Sequence, residues 1–97
     1  MFDVTIELTC SRKPGTLSHL IRDITRCGLQ YTRHDISHQN NHCDMTIVGH
    51  GVLNCSREDL LEILNDIPEV EEVRKLSISR DGHEITTFRT EFSKDYI

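Results

Sequence analysis

Tryptophan is absent from this sequence, and three phenylalanines, two tyrosines and two prolines complete its sparse rigid residues. With 97 residues and 36% apolar content there is room for one domain around one modest core. No apolar run approaches the length that spans a bilayer, so neither a membrane helix nor membrane association is expected. Met1 leads straight into Phe2-Asp3-Val4 without a basic head, an apolar middle and a cleavage site. No secretory signal is read there, and the cytoplasm is the expected compartment. Eleven lysines and arginines face 16 acids, a net charge of −5. That balance argues against a nucleic-acid partner, whose binding rests on neutralising phosphates. The four cysteines (Cys10, Cys27, Cys43, Cys55) contain no Cys-x-x-Cys pair and read as reduced and mostly structural. Repeats and low-complexity segments are lacking.

What is present is organised around Cys10 to Leu17, a short basic turn between two periodic segments. Before it, Phe2, Val4, Ile6, Leu8 and Cys10 alternate with Asp3, Thr5, Glu7 and Thr9, the period of a strand with one buried face. After it, Leu17, Leu20, Ile21, Ile24 and Cys27 mark one face of a helix, capped by Gly15 or Thr16 and ended by Gly28. In the turn, Pro14 restricts itself and Lys13, and Gly15 permits unusual backbone angles and close approach. The unpaired amides that open the helix, with Arg12 and Lys13 beside them, suit a carboxylate or phosphate.

Leu29 to His38 reads as a second strand, with Tyr31 and Ile36 expected to be buried. Its broken pattern at Arg33, Asp35 and Ser37 predicts a bulge or an edge position. Gln39-Asn40-Asn41-His42 is a hairpin turn, and Cys43, Met45 and Ile47 mark a third strand that Gly49 and Gly51 can bend. Ser56 caps a second helix with Leu60, Leu61, Ile63, Leu64 and Ile67 on its apolar face, and Pro68 stops it. A fourth strand is expected at about Glu72 to Ser79, followed by a turn at Arg80-Asp81-Gly82-His83. The remaining tail to Ile97 is open to three readings: an added strand, a partner-binding arm or a partly disordered end.

The order strand, helix, strand, strand, helix, strand predicts an α+β, ferredoxin-like βαββαβ sandwich over residues 1–79. It has a four-stranded antiparallel sheet with both helices on one face, and residues 80–97 form the tail or added strand. The polar second face and an open edge predict self-association. Such a fold serves many functions. Asp44-Met45-Thr46-Ile47-Val48 lacks the aromatics and bases of an RNA-binding third strand, and a first loop with Cys10 alone is no soft-metal carrier. Arg12 is available for an acylphosphatase-like loop, but the loop around it does not match.

The strand Val4-Thr5-Ile6-Glu7-Leu8, the turn Arg12-Lys13-Pro14-Gly15-Thr16-Leu17 and the helix end Arg26-Cys27-Gly28-Leu29-Gln30-Tyr31 together resemble an ACT domain, the small regulatory module that binds amino acids. Ile67-Pro68-Glu69-Val70, with Val73 and Leu76, also fits. The resemblance implies a homodimer that binds an amino acid or related small metabolite at its interface and serves allosteric regulation. The ligand-binding residues it implies are Arg12, Lys13, Pro14, Gly15, Thr16 and Leu17 from the turn, and Gln30 where the family often has a ligand-contacting asparagine. Ser11-Arg12-Lys13 stands where the family usually has an acid before Pro-Gly, which leaves room for a more anionic ligand, or for none.

Six histidines invite a metal reading. His34, His38 and His42 are four apart, and on a strand such neighbours lie roughly 13 Å apart. If Asn40-Asn41 centre the turn, His38 faces Cys43, but two ligands are an incomplete site. Cys10 or Cys43 with a histidine lacks a third orienting group, so neither catalysis nor a metal or cofactor is expected. The competing function is a freestanding regulatory subunit that acts on a partner enzyme through protein–protein contacts, resembling the small subunit of acetolactate synthase. Its contacts would be the polar sheet face and the tail.

Overall fold

The computed structural model describes residues 1–39 and 42–89, so Asn40, Asn41 and the tail from 90, with Phe92 and Tyr96, lie outside the described residues. The elements are β1 (Phe2–Ser11), α1 (Thr16–Arg26), β2 (Leu29–Gln39), β3 (His42–Gly51), α2 (Arg57–Asn65), β4 (Val70–Arg80) and β5 (His83–Arg89). They form an α+β fold with one antiparallel sheet in the order β2-β3-β1-β4-β5, compatible with a ferredoxin-like arrangement.

Alternation in β1 does what its pattern dictates. Val4, Ile6, Leu8 and Cys10 are fully buried, and they join Leu20 and Ile24 of α1, Leu60 and Leu64 of α2, and Met45 and Ile47 of β3 in one core. This side of the sheet is the helix face; Thr5, Glu7 and Thr9 lie on the open face. Ser56 caps α2 as expected, its hydroxyl accepting from the Asp59 amide at 3.1 Å. The helix ends at Asn65, ahead of Pro68, whose ring disfavours helical angles at Ile67.

The sheet has five strands, not four. Asp81 (φ 54) and Gly82 (φ 81) turn the chain back on itself, and His83–Arg89 pairs along β4. Phe88 packs against the core, and the Arg57 guanidinium donates to the Thr86 hydroxyl (2.9 Å) and the Thr87 carbonyl (3.3 Å). Apolar contact and a charged clamp therefore fix as sheet a segment whose pattern left it open.

Two departures from plain alternation have one cause. In β4 the buried residues Val70, Val73, Leu76 and Ile78 are unevenly spaced because the pairing with β1 shifts at two places. The strand accordingly begins at Val70, two residues before the expected Glu72. In β2 the register shifts between Tyr31 and Arg33, leaving Thr32 without a partner. Beyond that bulge the helix face carries His34, Ile36 and His38, opposite Ile47, Met45 and Cys43. Tyr31 and Ile36, expected to be buried, are 36% and 38% exposed, because β2 is the edge strand.

Gly28, Gly49 and Gly51 do more than bend the chain. They let β2 and β3 cross at close range, and a Cβ on Gly28 would lie 2.1 Å from the Val52 carbonyl oxygen. Gly28 also has φ +95. Gly82 has φ +81 but open space around it. Gly82→Ala should therefore cost only the left-handed strain, about 1–2 kcal/mol. Gly28→Ala should cost on the order of 3 kcal/mol or more, since backbone must also move. Urea midpoints of the two variants check the order; equal losses would show that the crossing is looser than described.

Candidate functional site

β1 delivers the chain into its turn with its end tied to the start of the neighbouring β4. The Ser11 amide donates to the Glu69 carbonyl at 2.9 Å, just before β4 begins. The turn then closes on itself: the Lys13 amide donates to the Ser11 carbonyl (3.0 Å), and the Thr16 hydroxyl donates to the Lys13 carbonyl (2.8 Å). Gly15, at φ 86, is the N-cap of α1 and supplies no side-chain hydrogen bond to the first turn. Thr16 is the first helical residue and is buried.

This turn forms one wall of an open groove of about 340 Å³. Ser11, Arg12, Lys13, Pro14, Gly15, Thr16 and Leu17 line that wall, and Ile36 and His38 of β2 with Cys43 and Met45 of β3 line the rest. Six of the seven residues singled out from sequence thus come together. Gln30 does not join them within one chain: it pairs with His50 at the far end of β2, and it alternates with buried Leu29, so it faces the open side. Ile36 escaped sequence reasoning as a groove residue because the bulge at Thr32 sets its face. Cys43 and Met45 were legible from the period of β3 and the hairpin register.

That register holds as expected, with His38 opposite Cys43 and Cys43 in turn opposite Cys10. The Cys10 and Cys43 sulfurs are 3.2 Å apart and buried. A second pair of thiols is formed by Cys27 and Cys55. Among the described residues no three of the His, Cys, Asp or Glu side chains gather as a metal-binding group. His19 sits between Asp23 (3.6 Å) and Glu69 (3.4 Å), linking α1 to the loop that holds Ser11.

Burial, then the hydrogen bond to Cys43, pushes the Cys10 thiol from 9.0 up to about 12. The folded chain keeps this proton where the unfolded chain loses it. The resulting stability is complete below pH 9 and is lost as pH rises towards 12. The urea midpoint should therefore fall steadily above pH 9, with a shallower slope in Cys10→Ala. A midpoint that stays level to about pH 11 would contradict the buried pair. No family model matches the chain, and a search of curated proteins finds no match to it, so the groove is read from its own residues.

Proposed function

We propose that the chain is a regulatory module without catalysis of its own, binding an amino acid or a related small metabolite in the groove between residues 11–17 and β2, in a homodimer joined along the β2 edge. The observation that carries this reading is the groove itself. A basic turn and the start of a helix stand against an apolar floor, at a size that suits a small molecule. The edge supports the dimer. β2 is 11 residues long, ends the sheet, and carries exposed Tyr31 and Ile36 on its helix face. An uncovered edge of this kind is a template for another strand. Two copies paired antiparallel about a centre near His34 set the Tyr31 end of one against the His38 end of the other, so that each groove is completed by the second copy. A ligand held there transmits a signal only by binding two packings of the dimer unequally.

A second reading, a regulatory subunit that docks on a partner enzyme, is favoured by β5. Its Ile85 is 54% exposed on a strand that Arg57 holds in place.

Sedimentation and thermal shift test the first reading together. The protein should sediment as a dimer, and a ligand at about a hundred times its dissociation constant should add about 2.7 kcal/mol to stability. Ile36→Asp should give a folded monomer that no longer responds. A wild-type monomer that responds to none of the amino acids or their related acids overturns the reading.

A further inference from the structure

From the donor and acceptor content of the groove we infer that its ligand is a small carboxylate with an aliphatic chain and no ammonium group, of the 2-oxo or 2-hydroxy acid type. This rests on the groove being the ligand site and narrows what it takes.

An amino acid presents two charges, and a site for it needs acceptors as well as donors. Donors are plentiful here. Arg12 and Lys13 line the groove, both donor-only cations. α1 starts there with no side-chain cap and no acid in its first turn, so its opening amides favour negative charge. Acceptors are scarce. Among the described residues that line the groove there is no aspartate or glutamate.

Three carbonyls of the turn take part in holding its shape. Lys13 accepts from both the Thr16 amide (3.4 Å) and the Thr16 hydroxyl (2.8 Å), which occupies its two lone pairs. Ser11 accepts from the Lys13 amide, and Gly15 from the His19 amide, each at 3.0 Å. The Ser11 and Thr16 hydroxyls direct their protons to the Glu69 and Lys13 carbonyls, so these oxygens, like the His38 ring, offer a ligand neutral lone pairs without a carboxylate's charge. An ammonium placed here loses its water without regaining equal partners and stands near two cations, an arrangement that costs affinity. A carboxylate meets two cationic side chains and the opening amides of α1. The rest of the ligand then lies against Leu17, Ile36 and Met45, an apolar surface suited to a short branched chain.

Matched pairs isolate the ammonium. Titration calorimetry at pH 7 compares 2-oxoisovalerate with L-valine and 2-oxoisocaproate with L-leucine, each pair sharing one side chain, with inorganic phosphate as a separate arm. Each oxo acid should bind at least tenfold tighter than its amino acid, and more tightly than phosphate, which has no chain for the apolar surface. Lys13→Gln should weaken the oxo acids severalfold. Lys13→Glu, which puts a carboxylate beside the groove, should narrow or reverse the preference. Lys13 is exposed, and circular dichroism confirms that both variants fold. Equal or tighter binding of the amino acids overturns this inference while leaving the groove as a ligand site. Phosphate binding as tightly as the oxo acids overturns the carboxylate assignment. No binding by any of these acids overturns the inference and the reading beneath it together.

Discussion

β1 has no free edge. It pairs with β3 along one side and β4 along the other, and four of its side chains are sealed from solvent. Everything else in the molecule takes its position from that strand. Burial of Val4, Ile6, Leu8 and Cys10, each a contribution of the order of 1.5–3 kcal/mol for the larger side chains, decides which face of the sheet the helices cover. Its last residue, Ser11, is fastened to Glu69, just ahead of the neighbouring β4. The basic turn is therefore launched from the central strand of the sheet, although its own residues Arg12 to Gly15 are all exposed. A loop on such a base keeps its shape without needing a core of its own.

Much of this was legible because local and global preferences agree. The alternation in β1 and β3, the stripe on α1, the Ser56 cap and the Asn40-Asn41 hairpin register are short-range signals, and the His38–Cys43 pairing followed from counting outward from the turn. Bulges were harder to read. The broken pattern of β2 announced a bulge or an edge, and the strand has both. But an extra residue changes only the phase of a pattern, so neither its place at Thr32 nor the shifts in β4 could be read, and β4 was started two residues late. β5 was missed as a definite strand for another reason. Its seven residues alternate weakly, and what holds them is an arginine from α2, a contact nearly thirty residues away in sequence. Six of the groove's residues were found through the turn alone. Gln30 was placed by resemblance to a family position, and the fold sets it on the other face and at the other end of its strand.

The groove combines surfaces of different kinds. Its turn wall is stiff, polar and self-bonded. Its floor includes the sulfur of Met45 and the thiol of Cys43, which behave as soft, polarisable apolar groups that accommodate small differences in shape. His38 of the edge strand adds a ring with two nitrogens for hydrogen bonding. In the proposed ligand site, selectivity by charge and tolerance by shape would thereby fall on opposite sides of one opening.

The bulge at Thr32 carries a consequence for how such a groove is inherited. One unpaired residue determines which way the outer half of β2 faces. Were Thr32 instead to take the rung opposite Val48, the slip would bring Arg33, Asp35 and Ser37 to the groove side and send His34, Ile36 and His38 to the other, whereas loss of Thr32 itself would leave every face as it is. The backbone could still pair with β3 rung for rung. Lineages carrying the two forms would share every strand and helix, yet one would have an apolar groove and the other a polar one. Divergence of this kind would leave no gap in an alignment, because the pairing has changed and the length of the chain has not.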